Sequence, residues 1–146
     1  MAYRKHRLMQ LVAAVAFAFA ATAANAVVEI QWWHSMTGAL NTKVDSIADK
    51  FNASQSDYKV VPVYKGQYDE SMAAAIAAYR AGNPPQIVQV FEVGTATMMA
   101  AKGAVKPVYQ MMAEAGEKLD PKDFLGAVYG YYADTQGHLI SMPFNS

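Results

Sequence analysis

Three places along this chain carry side chains able to engage a small polar molecule: Trp33-His34-Ser35-Met36, Tyr68 and Glu92. An indole at Trp33 can wall a pocket, and His34 or Ser35 can donate to a polar ligand. The structural alternative is that Trp32 and Trp33 alternate across a strand, one into the core and one over a helix. Tyr68 stands at the start of a predicted helix, where a phenol beside unpaired backbone N–H groups suits a phosphate or hydroxyl ligand. Its plainer role is an exposed tyrosine capping the crossing loop. Glu92 follows an apolar stretch, and a carboxylate there is costly unless solvated or paired. It suits the hydroxyls of a polyol or sugar and would repel a phosphate, so the hydroxyl end of a ligand should meet it. The rival reading is a salt-bridged rim residue. Asp69 and Glu70 complement a helix dipole.

Other chemistry is excluded by what the chain lacks. Neighbouring Ser35 and His34 do not make a nucleophilic triad, because there is no GxSxG elbow and no identifiable orienting acid. With no cysteine, thiolate catalysis, iron–sulfur clusters and Cys-type zinc sites fall away. His6, His34 and His138 are far apart and form no HExxH-like spacing, so neither a metal nor a cofactor is expected. The methionine pairs Met98-Met99 and Met111-Met112 read as helix core.

The first 26 residues have the order of a cleaved export signal. Arg4, Lys5 and Arg7 are followed by an apolar run of 11 residues, Leu11 to Ala21, and by Ala24-Asn25-Ala26. A bilayer-spanning helix needs about 20 apolar residues, roughly twice this run. Cleavage after Ala26 and export from the cytoplasm are therefore expected. Three of the 12 basic residues and none of the 12 acidic ones lie in the leader, so the rest carries nine against twelve, a formal −3. Such a charge argues against a nucleic-acid partner or an anionic membrane surface. An exported domain without disulfides must rely on its own core, and 53% hydrophobic residues can supply one.

The elements that must position these groups alternate. Val27 to Trp33 reads as a strand, followed by a helix with Leu40, Val44, Ile47 and Phe51 on one face. Tyr58 to Tyr64 is a second strand, with Pro62 favouring an edge. Its successor is a helix with Met72, Ile76 and Tyr79 buried, ended at Gly82. Gln86 to Phe91 is expected as the most buried strand, closed by Glu92-Val93-Gly94 and followed by a helix from about Thr95 to Lys102. Further helices are expected over Val108 to Ala115 and from the Asp120 cap and Pro121 to about Val128, then a strand over His138 to Phe144. The order predicts an α/β fold with a mainly parallel sheet flanked by helices. In such sheets ligands bind beyond the carboxyl ends of the strands, where Trp33 to Gly38, Lys65 to Tyr68 and Glu92 to Thr95 fall.

Longer strings add a family resemblance. Phe91-Glu92-Val93-Gly94-Thr95-Ala96-Thr97-Met98-Met99-Ala100 is similar to the periplasmic sn-glycerol-3-phosphate-binding proteins of ABC importers, within the family 1 extracellular solute-binding proteins. So are Trp33-His34-Ser35-Met36, Tyr64-Lys65-Gly66-Gln67-Tyr68, Gly130-Tyr131-Tyr132 and Pro143-Phe144-Asn145-Ser146. The resemblance implies a two-lobed, non-enzymatic receptor, here a monomer, that closes on sn-glycerol 3-phosphate or a glycerophosphodiester such as glycerophosphocholine. It would deliver that ligand to membrane permease subunits. By motif it marks Tyr68, Glu92 and Ser146 as ligand contacts, with Trp33 and His34 as candidate pocket walls. Residues 27–146 then look like an amino-terminal portion of a periplasmic-binding-protein-like fold, incomplete at the carboxyl end. Three rivals are an oligosaccharide receptor of the same superfamily, a non-functional remnant, and a secreted glycerophosphodiester hydrolase. The hydrolase lacks a visible metal cluster or activated nucleophile.

Overall fold

The structure is a computed structural model that describes residues 26–101 and 103–145. Residues 1–25 of the expected 26-residue leader and the candidate Ser146 lie outside the described residues. Among the described residues, strands β1 (Val28–His34), β2 (Tyr58–Tyr64) and β3 (Ile87–Val88) form one parallel sheet in the order β2-β1-β3. Helix α1 (Gly38–Ser54) carries the chain from β1 to β2, and α2 (Tyr68–Arg80) carries it back to β3. This is the parallel α/β arrangement expected from the alternating pattern.

The β1–β2 ladder runs from Val28 opposite Tyr58 to His34 opposite Tyr64. Pro62 lies opposite Trp32 on β2, an edge strand among the described residues, so its missing N–H need not break a second ladder. With side chains alternating along β1, Trp32 joins Met36 and Val44 in the core, with Val60 and Tyr68 packed against them. Trp33 points the other way. Its indole N–H donates to Gln31 Oε1 at 2.8 Å, and the Lys65 ammonium sits 3.9 Å from its ring centroid.

Both crossover helices are turned relative to the faces expected from apolar spacing. In α1, Val44 and Ala48 are buried, whereas Leu40, Ile47 and Phe51 are exposed. The cause is Asn52, one further step of four along the buried row. Its side-chain amide donates to the Val60 carbonyl at 2.9 Å and accepts from the Val60 N–H at 2.7 Å, fixing the helix's rotation against β2. In α2 the buried residues are Ser71 and Ala75; Met72 and Ile76 are half-buried and Tyr79 is exposed. Small side chains let a helix lie close to the sheet whose centre is filled by two tryptophans.

Beyond α2 the expectations need five corrections. β3 is two residues long and Ile87 is exposed, so it is not the most buried strand; the chain leaves the ladder after Gln89 N–H donates to the Trp33 carbonyl at 2.8 Å. Helix α3 (Glu92–Ala100) starts three residues earlier than expected, since Phe91 is extended and serves as N-cap. Asp120 does cap, accepting from the Lys122 N–H at 2.9 Å, but it opens only a 3₁₀ turn at Pro121–Asp123. Extended Phe124 and Leu125 then break the chain before α5 (Gly126–Tyr132). Residues 138–144 form no strand. The Leu139 and Ile140 carbonyls instead accept the Tyr109 and Val108 N–H groups that open α4 (Val108–Ala115), at 2.9 and 3.2 Å. Those carbonyls substitute for the side-chain cap that Pro107 cannot provide. Met111 on α4 is exposed, not core.

Candidate functional site

In the order β2-β1-β3 the chain adds strands on both sides of β1, and parallel sheets of this kind bind ligands beyond the carboxyl ends of their strands. The residues that follow all three strands lead into helices there, α1 at Gly38, α2 at Tyr68 and α3 at Glu92. Three helix amino termini, with their partial positive charge, thus stand at one end of the sheet.

Tyr68 and Glu92 occupy equivalent positions, each the first residue of its helix after an extended N-cap, Gln67 or Phe91. Tyr68 is set by a capping box: the Gln67 N–H donates to Glu70 Oε2 at 2.8 Å, and the Gln67 side chain accepts a backbone N–H in return. Gly66 makes this possible. It has φ +87°, and a Cβ there would run into the Glu70 side chain. The Tyr68 ring packs on Phe91 at 5.6 Å between centroids, which joins the two candidate positions through the residue preceding Glu92. Gly94 permits that contact, because a Cβ would lie 2.9 Å from the Phe91 ring and 3.0 Å from Met72 Sδ.

Glu92 is exposed and stands in the first turn of α3, where the dipole favours its charge. It is in none of the ion pairs found among the described residues. Its backbone carbonyl accepts the Tyr131 hydroxyl at 3.0 Å, which ties α3 to α5.

His34 and Trp33 are both inside. His34 is 1% exposed, and its Nδ1 accepts the Met36 N–H at 3.3 Å, so the neutral ring carries its proton on Nε2. Burial holds this imidazole below its ordinary value of 6.5, partly offset by the Asp45 carboxylate. Trp33 has spent its N–H on Gln31.

The Pro143-Phe144-Asn145 segment comes to the same end of the sheet. Phe144 meets Trp32 edge-on at 5.3 Å, and Asn145 Oδ1 accepts from Gln89 Nε2 at 3.1 Å. Gln89 Oε1 accepts the Ser35 N–H at 3.1 Å. Gln89 and Tyr131 were not singled out by sequence reasoning. The available signal for Gln89 was a polar residue inside an apolar strand, which folding tolerates only with partners. The Ser35 hydroxyl is buried with no partner among the described residues. Taken together, these groups offer hydrogen-bond donors and acceptors, aromatic surface and the exposed carboxylate of Glu92. Among the described residues no cluster of three or more His, Asp or Glu could hold a metal.

A parallel α/β lobe with polar and aromatic groups gathered at its strand ends is the architecture of a ligand-binding domain. A family profile described as bacterial extracellular solute-binding protein matches residues 46–146, and the chain belongs to that family. It is 53% identical over 144 residues to the sn-glycerol-3-phosphate-binding periplasmic protein UgpB of Pectobacterium atrosepticum, covering 98% of this chain and 32% of that protein. It is 55% identical to the Yersinia enterocolitica protein of the same name over 141 residues, 96% of this chain and 32% of the relative. For the Escherichia coli K12 protein of that name the figures are 56% over 124 residues, 84% and 28%. The chain therefore spans about a third of the length of these curated relatives. A solved structure described as CpMnBP1 with mannotriose bound superposes with a TM-score of 0.60 at 20% identity, covering 74% of this chain and 26% of that one. That likeness supports the fold.

Proposed function

We propose that residues 27–146 form the amino-terminal portion of a two-lobed periplasmic receptor that captures sn-glycerol 3-phosphate, or a glycerophosphodiester, for an ABC importer. The observation that carries this reading is the 53% identity across 98% of the chain to a protein named for binding that ligand. In this reading Glu92 accepts hydrogen bonds from the glycerol hydroxyls and Tyr68 contributes its phenol beside it. Ser146 adds a third contact, and Trp33 and His34 back the pocket from inside. The phosphate is held away from Glu92 by neutral or cationic donors, because a carboxylate and a phosphate repel. The protein works by reversible binding as a monomer, with no bond made or broken. The leader is removed after Ala26, and mass spectrometry of periplasmic protein should find Val27 at the amino terminus; an intact leader in a membrane fraction would contradict export.

The ligand is tested with a chimera joining residues 27–146 to the remaining length of the Pectobacterium relative. Calorimetry should show glycerol 3-phosphate binding well ahead of maltotriose, whereas a preference for the oligosaccharide would overturn the assignment. Alone, the 146-residue chain should bind weakly or not at all. A ligand enclosed from one side forfeits several charge-assisted hydrogen bonds at roughly 1.5–3 kcal/mol each. Micromolar or tighter binding by this chain alone would contradict the two-lobed reading.

A further inference from the structure

We infer that Gln89 is a positioning residue, fastening the Pro143–Asn145 segment and the loop after β1 to each other at the carboxyl end of the sheet. The inference rests on the ligand-binding reading above for its functional consequence, but its geometry stands apart from the ligand. Gln89 is buried, and three of its groups are engaged. Its backbone N–H donates to the Trp33 carbonyl at 2.8 Å, extending the β1–β3 pairing beyond Val88. Its side-chain oxygen accepts the Ser35 N–H at 3.1 Å, and its side-chain nitrogen donates to Asn145 Oδ1 at 3.1 Å.

One amide thus links residues 54 positions before it and 56 after it. The geometry requires an amide at this place. A carboxylate would present a second acceptor to Asn145 Oδ1, and an apolar side chain would leave the buried Ser35 N–H without its acceptor. Asn145 Nδ2 also lies 3.8 Å from Met36 Sδ, so the segment touches the β1–α1 loop as well as β3. Packing of Phe144 on Trp32 at 5.3 Å accompanies the polar link. Without that link, only the aromatic contact and the sulfur contact would hold the segment over the sheet, and the loop carrying Ser35 would lose an anchor.

The test compares Gln89→Leu with Asn145→Ala in the 146-residue chain by NMR. Hydrogen exchange reads the Ser35 amide, and cross-relaxation between the Phe144 and Trp32 rings reads the docked segment. Gln89→Leu should speed exchange at Ser35 by at least about tenfold and weaken the ring contact. Asn145→Ala should weaken the ring contact while leaving Ser35 exchange within about twofold, because the Gln89 oxygen still accepts from it. A residue that merely fills the core would instead raise exchange evenly along β1 and β2. That even rise, or a full-strength ring contact in Asn145→Ala, overturns the proposal. Should Gln89→Leu fail to fold, the ring contact in Asn145→Ala decides alone. In the chimera, Asn145→Ala should weaken glycerol 3-phosphate binding by about tenfold with its melting temperature retained. A parent chimera that ignores glycerol 3-phosphate would sink the ligand assignment, while the ring contact would still report on Gln89.

Discussion

Residues 28–100 and residues 104–145 hold their shapes by different means. The first region is a ladder with two crossover helices and α3, and its buried hydrophobic side chains are Trp32, Trp33, Met36, Val44, Ala48 and Ala75. The second has short helices and contributes one buried hydrophobic side chain among the described residues, Leu139. Its order comes from backbone groups reaching across the sequence: Ile140 N–H to the Tyr132 carbonyl at 2.9 Å, and the Leu139 and Ile140 carbonyls to the start of α4. It joins the first region through the Phe144–Trp32, Asn145–Gln89 and Tyr131–Glu92 contacts. The candidate site lies on the seam: the first region supplies Tyr68 and Glu92 at the starts of α2 and α3, and the second supplies Tyr131, which reaches the Glu92 carbonyl, and Phe144 and Asn145, which reach Trp32 and Gln89.

The strongest way to break this contrast is to remove the common centre. Trp32→Ala should cost about 3–5 kcal/mol, because it empties the core cluster and also takes away the partner of Phe144. Denaturant unfolding would show it, and a loss below about 1 kcal/mol would mean that the cluster is not the core. Gly94→Ala should be next, at about 1–3 kcal/mol, since the added Cβ meets Phe91 at 2.9 Å and Met72 at 3.0 Å. Displacing Phe91 should also disturb the Tyr68 ring, visible as a changed tyrosine NMR signal; an unchanged signal would separate Tyr68 from Glu92.

Which of these features could be read from the sequence follows the same division. β2 is found at its expected limits and α4 at its own, because strand alternation and a helical apolar face are local signals. The rotation of α1 was not legible, since it depends on Asn52 finding the backbone of Val60. The absence of a strand at 138–144 depends likewise on α4 using those carbonyls as caps. At the site, Tyr68 and Glu92 stood out by type and position. Gln89 did not, because its partners lie more than fifty residues away in both directions.

Acid should sharpen the contrast, because His34 begins to respond below about pH 6.5 and Asp134 only below its ordinary value of 3.8. His34 in the ladder is held below 6.5 by burial, so the unfolded chain takes up protons first as pH falls below that value. Stability conferred by its neutral form should be present above about pH 6.5 and decline until the depressed folded value is passed. A thermal-melt series should show this decline, and His34→Gln should flatten it. Asp134 in the second region is held below 3.8, first by the His138 N–H, against an opposing effect of burial, and further by the His138 ring and the Gln136 N–H. Its contribution is present above that ordinary value and is lost as pH falls through the depressed one. Asp134→Ala should therefore produce the smallest effect. It should raise hydrogen exchange at Gln136 and His138, whose N–H groups both donate to Asp134 Oδ1 at 2.9 Å, while leaving the β1–β2 amides protected. A general loss of protection there would join the two regions into one cooperative unit.

We propose that the sheet's carboxyl end receives ligand hydroxyls at Glu92, and calorimetry on the chimera with Glu92→Gln tests this most directly. The substitution keeps the shape and weakens the acceptor, so glycerol 3-phosphate affinity should fall by roughly tenfold or more. The unliganded melting temperature should stay within a few degrees, because the Glu92 side chain is exposed and takes no part in the core. Unchanged affinity would reduce Glu92 to a rim residue and leave the site to Tyr68.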